Sequence, residues 1–200
     1  MQKIETYTAI INSKDKPRND IKVFSEYDKF VRANMNAKIY KILSHKFLAC
    51  DVSIWMDGNI YLLKEPEWYV DNWLKDNDMA VFRHYKSKDL DWELKWIKYV
   101  WRSRDRKIYE EAIKQVEEYK KYDIRKEEMG MGGFIIRRHN EQVVRFNEAW
   151  WAEICRWSQR DQLSLPVVLR QFPELKVNRI NENILRNPYT RYEQHQQFIT

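Results

Sequence analysis

The chain has little of what staples small or extracellular folds: its 200 residues include only two cysteines, Cys50 and Cys155, far apart and outside any Cys-x-x-Cys spacing. That excludes a disulfide framework and a thiolate zinc site, and it makes reduced, cytosolic thiols the default expectation. No stretch approaches the ~18 uncharged apolar residues a membrane span requires. The opening MQKIETYTAIINSKDK has no apolar leader core, so a soluble intracellular protein with no membrane partner is expected. Glycine is scarce as well, and three of the four glycines are Gly130, Gly132 and Gly133. Their spacing matches neither G-x-G-x-x-G nor a P-loop, which removes the two common glycine-rich cofactor motifs. The four histidines, His45, His84, His139 and His195, form no His-x-x-x-His pair, so a zinc hydrolase has no support from them.

What the chain has is apolar mass and positive charge. A hydrophobic share of 44%, nine tryptophans and a net charge of +6 describe a chain that folds and favours anionic partners such as nucleotides, sugar phosphates or nucleic acid. Its length suits one domain over residues 1–200.

Apolar periodicity predicts strands at Ile4 to Ile11 and Ile21 to Ser25, then a helix from Ala37 to Leu48 whose apolar face is Ile39, Tyr40, Leu43 and Phe47. Lys38, Lys41 and His45 lie on the opposite face of that helix. Two short strands follow, Val52–Met56 and Ile60–Leu63, broken by Asp57-Gly58-Asn59. Next come a helix opened by Pro66 and a strand from Met79. Two helices are expected between Lys88 and Lys121 within an insert at about 88–128. Then come the strand of GGFIIRRHN, the helix EQVVRFNEAWWAEICRW with Trp150 in its core stripe, and an element opened by Asp161 and Gln162. Alternating strands and helices predict an α/β fold with a mixed sheet covered by helices.

Five features bear on chemistry. Asp57-Gly58-Asn59 reads either as a hairpin turn, because Gly accepts unusual backbone angles, or as an oxygen site for a divalent cation on a diphosphate. Lys38, Lys41, His45 and Lys46 are either a solvated helix face or cations for the phosphates. Asp161 is either a carboxylate favouring a helix start, worth roughly 0.3–1 kcal/mol, or a reacting-site group. Gly132-Gly133 marks either a turn or a place where a ligand meets the backbone closely. On the insert, Trp92, Trp96 and Tyr99 interleave with Lys95, Lys98 and Arg102, followed by Arg104 and Arg106. Aromatic planes among cations suit bases or sugars as well as a partner helix.

The ordered set YTAII, KIYKILSHKFL, SIWMDGNI, MAVFRH, GGFIIRRHN, FNEAWWAEI, RDQLSL and RNPY resembles a glycosyltransferase-like domain family with plant mucilage-related, bacterial and phage members. The resemblance covers nearly the whole chain. It implies a GT-A-like, Rossmann-like domain that uses a nucleotide-sugar donor with Mn²⁺ or Mg²⁺. It makes Asp57 the metal and diphosphate anchor, sets Asn59 where a second Asp is usual, offers His195 as a further ligand, and puts Asp161 beside the anomeric carbon. Tyr7, Thr8 and Ala9 would border the nucleobase, with Lys38, Lys41, His45 and Gly133 on the donor. The phage-like compactness and basic insert favour a hydroxymethylated base in DNA as acceptor, met by Trp92, Trp96, Arg102, Arg104 and Arg106, in the cytoplasm of a bacterial or phage-infected cell. A cell-surface or small glycan acceptor, a non-catalytic nucleic-acid-binding module and a hydrolase on the same fold are the alternatives.

Overall fold

The computed structural model describes residues 2–12, 15–101, 105–125 and 128–194. Its centre is a six-stranded mixed sheet in the order β2-β1-β3-β6-β5-β7. The strands are β1 Ile4–Ala9, β2 Lys22–Phe24, β3 Val52–Met56, β5 Met79–Arg83, β6 Gly130–Arg138 and β7 Val177–Ile180. β1 runs parallel to β2 and β3, β5 parallel to β7, and β6 antiparallel between β3 and β5. Every residue of β3 is buried, as expected of a central strand covered on both faces.

Alternation along the strands divides the core. Tyr7, Trp55, Val81 and Ile135 face helices α1 (Ala33–Ile42), α5 (Glu141–Arg156) and α6 (Asp161–Leu169). Ile54, Met56, Phe82, Phe134 and Ile136 face α2 (Pro66–Tyr69) and the π turn that continues it over Val70–Leu74. Trp150 is fully buried, and its indole N–H donates to Ser164 Oγ at 3.0 Å. The insert is a helix pair, α3 Leu90–Trp101 and α4 Arg106–Tyr119, whose apolar seam includes Ile97, Ala112 and Val116. That seam continues onto Leu163 and Val167 of α6. The expected α/β class and helix-covered mixed sheet are what the chain forms.

Three local expectations are corrected. The strands flanking Asp57-Gly58-Asn59 do not make a hairpin. β3 stays in the main sheet, while β4 (Ile60–Leu62) pairs with β8 (Thr190–Tyr192) in a separate two-stranded sheet. The turn itself is real, closed by the Ile60 N–H on the Asp57 carbonyl at 2.9 Å; β4 leaves the plane because Ile60 and Leu62 pack with the α2-side core. Helix α1 spans Ala33–Ile42 rather than Ala37 to Leu48, and Ser44–Lys46 forms a separate 3₁₀ turn, which takes His45 off the lysine face. The third is β7, an edge strand in a segment where periodicity gave no strand, since V-N-R-I alternates weakly.

At the end of the sheet away from the Asp57 turn, His139 Nε2 lies 3.4 Å from Ser44 Oγ, and its ring is near Cys50 Sγ. Burial, then the charges of Arg137 and His45, push its pKa down to about 4. An unfolded histidine takes its proton near pH 6.5. The stability present above that pH is therefore lost as pH falls from about 6.5 towards 4. Allowing for the ring's partial exposure, the loss is about 1–2 kcal/mol. Urea unfolding at pH 7 and pH 4.5 measures it, and His139→Gln should remove this part of the pH dependence.

Candidate active site

A cleft of about 370 Å³ opens where β1 and β3 end. Ala9, Lys38, Lys41, Asp57, Gly133 and Asp161 all line it, although they come from β1, α1, the turn after β3, β6 and α6. Topology explains the meeting: β1 and β3 are parallel neighbours, β6 enters antiparallel beside β3, and α1 and α6 lie on the same face of the sheet.

Asp57 is held rigidly. Its backbone N–H donates to the Gly133 carbonyl at 2.8 Å, and its Oδ1 accepts the Trp55 indole N–H at 3.1 Å. Oδ2 faces Gly133, where an added Cβ would sit 3.2 Å away. Asn59 is held through its amide N–H, which donates to the Glu193 carbonyl at 3.1 Å, and the two backbones are bonded at 2.8 Å. It clamps the C-terminal segment against the turn.

Behind the turn lies a charge cluster. Asp161 Oδ1 accepts from Lys38 Nζ at 2.9 Å and Oδ2 from Lys41 Nζ at 2.5 Å. The Asp161 and Lys41 side chains are only 5% and 7% exposed, so this is no solvated lysine face. Burial alone would raise the Asp161 carboxyl, but the two ammonium groups outweigh it and hold the pKa well below the usual carboxylate range. Burial also pulls Lys38 down, against the attraction of Asp161. Lys41 Nζ further lies 5.9 Å from the centre of the Trp55 ring. Arg137, fully buried on β6, anchors the lysine helix from below, donating to the Lys41 and Ile42 carbonyls, to Tyr7 Oη at 3.0 Å and to Asn147 Oδ1 at 2.8 Å.

Gly132 is where the strand must pass under this cluster. An added Cβ would overlap Asp161 Oδ2 and lie 2.7 Å from Lys41 Nζ. No glycine has positive φ among the described residues, so close approach and not backbone freedom requires glycine here. Gly132→Ala should cost about 1–3 kcal/mol in urea unfolding, as overpacking does. Gly58→Ala, whose Cβ would meet nothing closer than 3.7 Å, should be tolerated.

Other expected residues are placed elsewhere. The Tyr7 ring is fully buried beneath α1, so it supports the cleft floor and does not border a base. Thr8 is buried with its hydroxyl unpartnered, and Ala9 alone of that trio reaches the cleft. His45 points away, 3.7 Å from Glu148. On α3, Trp92 is half-buried, while Trp96 (39% exposed) stacks on Tyr99 (81% exposed) at 5.8 Å; Lys86 Nζ lies 5.3 Å from the Trp96 ring centre. Arg106 is exposed and pairs with Glu110 at 2.7 Å. Arg102, Arg104 and His195 lie outside the described residues.

The family model for the TOD1/MUCI70 glycosyltransferase-like domain matches residues 21–193. The chain belongs to that family. Within 141 residues, 66% of this chain, it is 28% identical to the probable hexosyltransferase MUCI70 of Arabidopsis thaliana, and the match spans 24% of that protein's length. Mouse xyloside xylosyltransferase 1 in its apo form superposes with a TM-score of 0.41 at 9% identity, over 76% of this chain and 53% of that one. The TOD1/MUCI70 match includes Asp57, both lysines, the glycine pair and Asp161, and starts after β1.

The donor set limits how a metal would be held. Among the described residues, no three His, Cys, Asp or Glu side chains converge as a metal cage. Asp57 keeps one carboxylate oxygen directed at the cleft, and a Mg²⁺-like cation commonly takes one or two carboxylates and completes its shell with substrate phosphates and water. The residues therefore fit a cation shared with a diphosphate, not one bound by protein alone.

Proposed function

We propose that this domain transfers a sugar from a nucleotide-sugar donor to a hydroxyl acceptor in the Asp57–Asp161 cleft. The supporting observation is the meeting of Asp57, Lys38, Lys41, Gly132-Gly133 and Asp161 around one opening, in a member of a glycosyltransferase-like family. The donor diphosphate lies along Gly133 and the Asp57 turn, where the backbone can be approached closely. Lys38 and Lys41 stabilise the charge that grows on the leaving diphosphate. Asp161, ionised and held by both lysines, is too weak a base to take a proton; its role is a fixed negative charge beside the anomeric carbon. The acceptor oxygen forms its bond to that carbon as the bond to the diphosphate oxygen breaks, and the hydroxyl proton leaves to solvent. When bound, Mn²⁺ or Mg²⁺ supplies further charge neutralisation at the diphosphate. Asp57 is its proposed protein ligand. His195, two residues after the Glu193 that Asn59 clamps, is the proposed second.

The test is a thermal-shift screen of nucleotide sugars with and without Mn²⁺, followed by donor hydrolysis. A ligand at 100 times its Kd stabilises by roughly 2.7 kcal/mol. Failure of every nucleotide sugar to raise Tm or to be cleaved would end this reading.

For the acceptor we propose hydroxymethylated DNA, supported by the exposed, cation-flanked aromatic face of α3. DNA affinity should then fall with salt at a log–log slope of about −0.9 per phosphate neutralised, and Lys98→Ala with Arg106→Ala should flatten it by one to two units. Nucleoside mass analysis of DNA carrying 5-hydroxymethylcytosine decides between this and a glycan acceptor.

A further inference from the structure

Helix α3 of the insert carries a carboxylate that solvent does not reach. Glu93 is fully buried; its Oε2 accepts the Ser87 hydroxyl at 2.5 Å and its Oε1 accepts Arg160 Nη2 at 3.0 Å. His84 Nδ1 accepts the Ser87 backbone N–H at 2.8 Å, so the neutral ring keeps its proton on Nε2, which lies 3.5 Å from Glu93 Oε2. Burial keeps His84 neutral by pulling its pKa down, against the pull of Glu93. The one permanently charged partner of Glu93 among the described residues is thus Arg160. A buried carboxylate that loses such a partner is strongly unfavourable, so the pair is held together.

Arg160 stands between Glu93 and the cleft. It lines the opening immediately before Asp161, at the start of α6. Its Nη2 is shared between Glu93 and Gln162 Oε1, the latter at 2.5 Å. Its Nε is buried without a partner, and none of its contacts among the described residues uses Nη1. The guanidinium is therefore fixed from behind at Nη2, which leaves the two N–H groups of Nη1 for a ligand. Lys38 and Lys41, the other cations of the lining, both share Asp161, which cancels part of their charge. A planar guanidinium held at Nη2 aims its remaining Nη1 donors in one direction, which a lysine on a flexible stem does not, and prior anchoring lowers the ordering cost of binding.

We propose that Arg160 binds the donor's phosphates and that Glu93, from the helical insert, is the positioning residue that holds it for them. This rests on the nucleotide-sugar reading of the cleft. It makes the insert part of donor recognition: α3 reaches the reacting site through Glu93, while Trp96 and Tyr99 on its flank stay exposed.

The experiment is calorimetric titration of the full chain with UDP and GDP, with Mn²⁺ present throughout. Arg160→Gln should weaken nucleoside diphosphate binding by about tenfold or more, and Arg160→Lys, which keeps a charge and loses the anchored guanidinium with its Nη1 donors, by a similar factor. Glu93→Gln, which keeps the shape and removes the charge, should weaken binding about three- to tenfold and have little further effect once Arg160 is Gln, since residues acting as a unit are not additive. A merely structural Glu93 would lower Tm and leave the affinity of the folded fraction unchanged. Equal affinities in wild type and Glu93→Gln, or effects that simply add, would overturn the coupling. Should Glu93→Gln not fold, wild-type affinity in Arg160→Lys and Arg160→Gln would overturn the phosphate role by itself. A wild-type chain that binds neither nucleotide overturns this proposal together with the transferase reading, whereas binding that ignores these substitutions overturns this proposal alone.

Discussion

Asp57→Ala is expected to lower metal-dependent donor turnover by about two orders of magnitude or more while leaving the fold close to wild type, because the loss of one preorganised electrostatic element has effects of that size. The stability half of the expectation follows from the contacts. Among the described residues, the Asp57 side chain accepts a single hydrogen bond, from the Trp55 indole, and the turn is closed by backbone bonds that alanine retains. Losing the acceptor leaves an indole N–H at the cleft edge, where water can reach it, so the cost should be about 1 kcal/mol. The turnover half depends on the cleft-facing Oδ2, the carboxylate oxygen proposed to hold the cation on the diphosphate. Asp57→Asn sharpens the test: it keeps the size and the oxygen and removes the charge, so it should lose metal dependence while folding normally. Wild-type turnover in both variants would leave Asp57 as a turn residue and nothing more.

How far the sequence reaches can be traced residue by residue. Asp57, Gly133, Lys38, Lys41 and Asp161 were all identifiable as chemistry-bearing residues, and the fold brings all five to one cleft. Their grouping was not legible from local pattern. Helical periodicity puts Lys38 and Lys41 on the face opposite the apolar stripe, and a lysine there usually meets water. Their counter-charge lies 120 or more positions later, where no periodic signal connects them. Tyr7 shows the converse limit. Strand alternation tells which face a residue takes but not how far along the sheet it sits. Ala9, on the same face of β1, reaches the cleft, while Tyr7 lies under α1 bonded to Arg137. Arg137 did leave a trace: in FIIRR it falls two positions after Ile135, on the inward face, and a charge there signals a buried partner set. Asp-Gly-Asn forms the turn its residues specify but not a hairpin, because turn chemistry specifies a reversal and not which strand pairs next. Glu93 had no signal at all, since its partner Arg160 is 67 positions away.

Asp161→Ala should be the most destabilising single change in the cleft. Read as a helix-start charge, Asp161 would be worth no more than about 1 kcal/mol. In the fold it neutralises two ammonium groups whose side chains are 16% and 7% exposed. Removing one member of a buried ionic cluster leaves uncompensated charge and costs about 3–5 kcal/mol. For a domain of this length that corresponds to a fall in Tm of roughly 10 °C. The pH dependence has a definite sign. The folded carboxyl ionises well below its ordinary value, so its contribution is present above about pH 4 and is lost as pH falls towards the lowered folded pKa. Asp161→Ala should flatten the acid limb of the stability profile in that window, below the one assigned to His139. The same cluster also separates stability from chemistry. Replacing all three charges at once, with Lys38→Met, Lys41→Met and Asp161→Leu, should recover much of the lost stability, because a buried ionic group exchanged for apolar side chains of similar size is often neutral or better. That triple variant should fold and still be inactive towards a nucleotide sugar. A single variant within about 1 kcal/mol of wild type would return Asp161 to the helix-start role, and an active triple variant would remove the cluster from the proposed reaction.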